Sequence, residues 1–250
     1  FVDKIRADAI QDIYDFTAHG HAVLDKLESS PKTTIALTTG LALGGGLELA
    51  LACDYRIGTR RTQFRFPETG IGIYPGLGGT QRTPRICGLE CARYTVLASS
   101  FLDAASAEAL GLLTHLVEPS QVEATVASIA ATGKPEDKYP GGPADPENAT
   151  VAFATSFYSD GNMSSLMSGE VPDGFDGADK VVSRQLKSLS RAAPIALSMA
   201  NDLLDAAADL NLEAGLEGEL EGLEEIFGTA DALEGLSALI EGRRPSYTNA

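Results

Sequence analysis

Apolar positions recur with a helical period through much of this chain. In residues 1–30, Ile10, Ile13, Phe16, Val23, Leu24 and Leu27 are spaced to form one face, which predicts a mostly helical start with those side chains buried. Residues 33–39, TTIALTT, are β-branched and short, and predict a buried strand that stops at a glycine turn. Residues 47–53 are nearly all apolar and predict a helix directly after that turn. Residues 55–59 and 63–66 read as short strands on either side of Arg60 and Arg61, a solvated loop.

The pattern then becomes helical again. Helices are predicted over residues 78–86, 89–98 and 103–110, the last with Asp103 as its N-cap. A strand follows at 114–117, and Pro119 opens a helix to about Ala131. Residues 133–177 are rich in Pro, Gly and Asp and read as loop or linker, except that 151–158 is apolar enough to dock on something. From Ala178 the chain reads as helical, with Pro194 in a first turn and Leu212, Leu216, Leu220, Leu223 and Phe227 as an apolar stripe. The stripe predicts a packing face, and the glutamates around it a solvated one. This divides the chain into a core at 1–132, the segment 133–177 and a helical region at 178–250.

Composition narrows the class. The chain has 250 residues, 44% of them hydrophobic, enough for one domain with a sizeable core. Its 19 basic and 35 acidic residues give a formal charge of −16, which repels nucleic acid and anionic membrane surfaces. Neither is expected as a partner. Cys53, Cys87 and Cys91 are an odd number with no metal-ligand spacing, and no run of 18 apolar residues is present. A reducing cytoplasm is the expected compartment. His19 and His21 stand two apart on a predicted helix and so point to different sides, which argues against a shared metal.

The candidate chemistry lies in residues 41–85. Gly44, Gly45 and Gly46 precede the apolar helix, and its only charged residue is Glu48. Glycines before a helix let a ligand approach the first-turn amides, which attract negative charge. A phosphate-binding loop would continue with Lys-Ser or Lys-Thr, whereas Leu47-Glu48 follows here. An oxygen that gains charge only transiently suits a site beside a glutamate better. Taken alone, Glu48 is also consistent with a helix-dipole partner, and Glu68, between Pro67 and Thr69-Gly70, with a solvated turn residue. Together, two carboxylates in an apolar cleft drive their ionisations apart, so that one accepts a proton while the other donates one.

These residues resemble the signature of the crotonase superfamily, specifically its enoyl-CoA hydratases. The matching features are Ala42-Leu43-Gly44-Gly45-Gly46-x-Glu48-Leu49-Ala50 and Ala52-Cys53-Asp54, followed by Phe66-Pro67-Glu68-x-Gly70-Ile71-Gly72 and Pro75-Gly76-x-Gly78-Gly79-Thr80-Gln81-Arg82. They occur in the family's order and with its spacing between the glutamates, and weaker similarity runs from about Ile10 to the C-terminus. The resemblance implies an α/β fold, a spiral of stacked ββα turns with a helical C-terminal trimerisation region, and hence a homotrimer or hexamer. It implies that Glu48 activates water for attack at Cβ, that Glu68 protonates Cα, and that the Gly45 amide is one of two oxyanion donors. Gly44, Pro67 and Gly76 correspond to substrate-binding positions. The implied substrate is an acyl-CoA thioester, with no metal and no cofactor beyond the coenzyme A that the substrate carries.

The resemblance also marks departures. Residues 133–177 read as an insertion, expected to be a surface excursion, a lid over the acyl tunnel, or a contact with a neighbouring subunit. The family's other oxyanion segment, Ala-Gly-Ala-Asp-like, has no match between Phe1 and Ala9. The chain is therefore expected to be part of a longer hydratase or of a fused hydratase–dehydrogenase. Hydration of a trans-2-enoyl-CoA to a 3-hydroxyacyl-CoA is the leading expectation. The alternatives are an isomerase, an acyl-CoA hydrolase, or a catalytically silent binding or oligomerisation module.

Overall fold

The computed structural model describes all residues, Phe1–Ala250. It opens with α1 (Val2–Arg6) and α2 (Ile10–Glu28), then β1 (Ile35–Thr38), β2 (Leu41–Leu43) and α3 (Gly45–Ala52). A second turn of the same kind follows: β3 (Tyr55–Gly58), β4 (Gln63–Arg65), a 3₁₀ turn at Glu68–Ile71, α4 (Gly79–Cys87) and α5 (Leu89–Val96). The third is β5 (Leu102–Asp103), α6 (Ala104–Ala109), β6 (His115–Leu116) and α7 (Val122–Thr132).

The strands fall into two small sheets, ordered β1-β3-β6 and β2-β4-β5. In the first, β1 pairs parallel with β3, Ile35 opposite Tyr55, and β3 parallel with β6. In the second, β2 pairs parallel with β4, Leu43 opposite Arg65, and β4 antiparallel with β5. Each of the first two ββα turns thus places one strand in each sheet, and the next turn stacks beside it as a spiral. Polar side chains fix the stacking. The Thr34 amide and hydroxyl both donate to Asp54, at 2.8 and 2.9 Å. Buried Arg56 donates to the carbonyls of Leu112, Cys53 and Gly111.

The remainder is helical: α8 (Ala149–Phe157), α9 (Asp160–Met167), α10 (Lys180–Leu189), α11 (Pro194–Ala206), α12 (Leu212–Glu221), α13 (Leu223–Phe227) and α14 (Ala230–Glu241). The chain after α14 turns back, and the Thr248 and Asn249 amides donate to buried Asp231. One continuous core joins Leu47, Phe64, Phe66 and Leu102 of the spiral to Ala196, Ala200, Leu204 and Ile226 of the C-terminal helices. No helix is long and apolar enough to cross a membrane.

Three expectations need correction. On α2 the buried positions are Ile13, Thr17, His21 and Leu24, while Phe16 is 62% and Val23 50% exposed. The helix turns polar residues inward because the fold satisfies them: Thr17 donates to Ile13 O and His21 bonds Gly76 O. β1 is an edge strand, which leaves Leu37 half exposed rather than buried. Within 133–177, α8 and α9 belong to the core instead of forming a surface excursion. Phe157 and Tyr158 are fully buried, and Arg93 holds Tyr158 O, Asp160 and Asp205 at 3.1, 2.7 and 2.6 Å.

This integration is measurable. Phe157 packs against Phe153, Phe175 and Tyr158 with ring centroids 4.9–5.3 Å away. Phe157→Ala is therefore expected to cost about 3–5 kcal/mol in urea unfolding, as large-to-small core substitutions do. A change within about 0.5 kcal/mol, as at surface positions, would mean that the segment is not part of the core.

Candidate active site

The register of the second sheet assembles the site. Because β2 and β4 are parallel neighbours with Leu43 opposite Arg65, the chain leaves both strands at the same end. Gly44 follows β2 and leads into α3, which carries Glu48; Phe66-Pro67-Glu68 follows β4. A separation of twenty positions along the sequence is closed by one turn of the spiral. The approach at this edge is tight. Gly44 has φ +49°, and a Cβ there would collide with the Glu68 carboxylate.

Glu48 is 2% exposed and Glu68 8%. Both line a cavity of about 150 Å³, together with Gly45, Gly76, Leu77 and an apolar wall that includes Phe16, Ile73, Leu223 and Phe227. Gly44 and Pro67 are not in the lining; they back Glu68 from behind. Glu48 does not fold back on its own helix start. Its Oε1 instead accepts the amides of Leu77 and Gly79 at 2.7 and 2.8 Å. Glu68 Oε2 is buried and has no hydrogen-bond partner.

This asymmetry divides the two acids. Burial pushes the Glu48 carboxyl up to about 7, and the charge of Glu219 adds to the rise, while the two amides and His21 oppose it. Burial also raises Glu68 well above the ordinary glutamate value, and the charge of Glu48 raises it further; a hydrogen bond from its own backbone amide and the charge of Arg65 oppose the rise. Glu48 has donors prepared for its anion, so it is suited to accept a proton. Glu68 Oε2 has none, so Glu68 is suited to keep a proton and donate it. Between them, Gly45 opens α3, and its first-turn amide has no partner within the helix.

Sequence reasoning missed the other half of the site. Glu219 of α12, expected on a solvated face, is 0% exposed. Its Oε2 accepts the Gly78 amide at 2.6 Å, and its Oε1 accepts the Thr80 amide at 3.1 Å and hydroxyl at 2.6 Å. His21 Nε2 lies 2.6 Å from Gly76 O and 3.4 Å from Glu219 Oε2. Burial lowers the His21 pKa, but Glu219, Gly76 O and Asp25 together outweigh it and the net shift is upward. His19 is exposed, on a different face of α2. A signal did exist: Glu219 stands three after Leu216 and four before Leu223, inside the apolar stripe.

Comparisons with known proteins accord with this geometry. All of residues 1–250 match a family described as enoyl-CoA hydratase/isomerase. The chain is 38% identical over 232 residues to the mitochondrial methylglutaconyl-CoA hydratase of Rattus norvegicus, covering 93% of this chain and 57% of that protein. It is 28% identical over 225 residues to the short-chain-enoyl-CoA hydratase of Clostridium acetobutylicum, covering 90% and 65%. The chain thus spans less than two thirds of the length of these curated relatives. The crystal structure of an enoyl-CoA hydratase from Rhodobacter sphaeroides 2.4.1 superposes with TM-score 0.79 at 20% identity, over 98% of this chain and 72% of that one. A carnitinyl-CoA dehydratase from Mycobacterium thermoresistibile does so with TM-score 0.77 at 22% identity, over 98% and 71%. At such identities these two likenesses establish the fold alone.

The raised carboxyls carry a linkage consequence with a definite sign. Unfolded, both acids ionise near the ordinary 4.5; folded, Glu48 holds its proton to about 7 and Glu68 is raised likewise. The folded state therefore binds more protons in that window, and these groups remove stability as pH rises through it. Relative to the wild type, Glu68→Gln is expected to gain unfolding free energy progressively with rising pH, as measured by urea titration at a series of pH values. A difference that does not change with pH would show that Glu68 ionises normally.

Proposed function

The chain belongs to the enoyl-CoA hydratase/isomerase family, and on that premise we propose that it carries the two-carboxylate centre of a hydratase acting on trans-2-enoyl-CoA thioesters. The observation that supports this most is the unequal environment of the two buried acids in one apolar cavity. Glu48 Oε1 is anchored by the turn, and Oε2 is left on the side of Gly45. In the proposed reaction Glu48 takes a proton from water as the water oxygen bonds to Cβ. The carbon–carbon π electrons move to Cα, and charge gathers on the thioester oxygen, where the Gly45 amide stabilises it. Glu68 then gives its proton to Cα. One water is consumed, and proton exchange between the acids and solvent restores the starting state.

The thioester supplies the activation, so the proposed chemistry needs no cofactor beyond the coenzyme A of the substrate. The cavity lining contains no lysine or arginine. This favours a hydrocarbon acyl chain over one that ends in a second carboxylate. An isomerase needs one proton-shuttling acid, whereas this cavity holds two. A silent scaffold would gain nothing from leaving Glu68 Oε2 buried and unbonded, which costs stability. Exposed Leu239 and Ile240 near the end of α14 support the trimer or hexamer reading. Three buried free cysteines fit a reducing compartment such as the cytoplasm.

The test is hydration of crotonyl-CoA by the protein at its natural length, followed as loss of the conjugated thioester absorbance. Glu48→Gln and Glu68→Gln are each expected to lower the rate roughly 10²–10⁴-fold, the usual worth of a positioned acid or base. Rates unchanged in both variants would rule the mechanism out.

A further inference from the structure

Four consecutive amides in the glycine turn are shared between two carboxylates in strict alternation. Leu77 and Gly79 donate to Glu48, while Gly78 and Thr80 donate to Glu219. Glu219 does not line the cleft, and neither does His21. Both are reached from the other side of the turn. His21 lies at the floor of a separate open groove between α2 and α12, also lined by Asp25, Glu28, Glu213 and Glu217. His21 itself is only 5% exposed there.

We propose that Glu219 and His21 are positioning residues for Glu48. They hold the turn from behind so that the Leu77 and Gly79 amides stay aimed at Glu48, and their charges set its ionisation from outside the cleft. The carboxylate of Glu219 fixes alternate peptide units, so neither Gly78 nor Thr80 can rotate without losing its acceptor. The Gly79 amide between them and the Leu77 amide just before Gly78 are fixed with them. His21 closes the arrangement with one nitrogen, Nε2, which meets both Gly76 O and Glu219 Oε2. A negative charge on Glu219 favours the protonated form of Glu48, and a positive charge on His21 favours its anion.

The other groups around this cluster are few. From α4, Arg82 and Arg85 face Glu219. Arg82 is tied to Asp25 and Glu28 at 3.2 and 2.8 Å. Asp25 also faces His21. The Tyr74 hydroxyl donates to the Glu219 backbone carbonyl at 2.6 Å. Glu68 faces Glu48 from the cleft side.

The experiment follows the Glu48 carboxyl carbon by ¹³C NMR in glutamate-labelled protein, its signal identified by loss in Glu48→Gln. In Glu219→Gln, whose amide oxygen still offers the turn an acceptor while the charge is gone, the Glu48 midpoint is expected to fall, and in His21→Gln, which keeps an N–H donor for Gly76, it is expected to rise. The movement in Glu219→Gln should be on the order of one pH unit and that in His21→Gln smaller, because Glu219 acts on Glu48 more strongly than His21 does. Opposite movements support the proposal, because a merely structural defect would not reverse sign with the charge removed. Midpoints that stay in place, or move in the same direction, overturn it. Should Glu219→Gln fail to fold, His21→Gln decides alone: a rise supports the proposal and no movement overturns it. A kinetic readout rests on the hydratase reading: in His21→Gln the pH profile of kcat for crotonyl-CoA should shift with KM unchanged. The NMR titration needs no turnover, so an inactive protein would count against the hydratase reading and leave this inference decided on its own.

Discussion

The structure depends on how the turn at residues 75–80 disposes of its backbone amides. Four in a row lie in the interior at the start of α4, where no preceding helical turn can receive them. A buried amide left unpaired costs about 1–3 kcal/mol. Here all four find carboxylate oxygens: two amides share Glu48 Oε1 of α3, and the other two take the two oxygens of Glu219 on α12. The positive end of the α4 dipole favours the same charges. The turn is thus the keystone between the spiral and the C-terminal helices.

Glycine is required at this turn for two separate reasons. Gly78 has φ +94°, and a Cβ there would run into the Arg82 guanidinium, which itself donates to Leu77 O. Gly79 is needed for space, since a Cβ would meet Pro75, Glu48 and Phe66 at 2.6–2.9 Å. The close approach lets Glu48 reach the turn at all. It also excludes water from one carboxylate oxygen, and burial is the main cause of its raised affinity for a proton. Backbone geometry and acid–base character therefore have one origin.

Much of the local structure was legible in the sequence. The strands on either side of Arg60-Arg61, the Asp103 cap and the helix opened by Pro194 all follow from short-range chemistry, and the structure has them. The glycine run before an apolar helix and the paired glutamates could be identified because both are local patterns that recur within one repeat of the spiral. The inward turn of α2 was not legible in this way. Hydrophobicity favours Phe16 and Val23 over Thr17 and His21 for the interior, and only the carbonyls supplied by Ile13 and Gly76 reverse that order. The docking of α8 and α9 was hidden by the Pro, Gly and Asp content of the loops around them.

The sequence by itself determined the elements, the glycine positions and the presence of two acids in apolar surroundings, since each depends on neighbours a few residues away. The tertiary structure alone decided which oxygen of Glu48 is anchored, that Glu68 Oε2 is left without a donor, and that Glu219 enters the interior. These depend on partners 29 to 141 positions apart, brought together by parallel strand register and helix packing, and such distances leave no periodic trace along the chain. The fate of a polar side chain is fixed by whether a partner awaits it, and that is a property of the folded molecule.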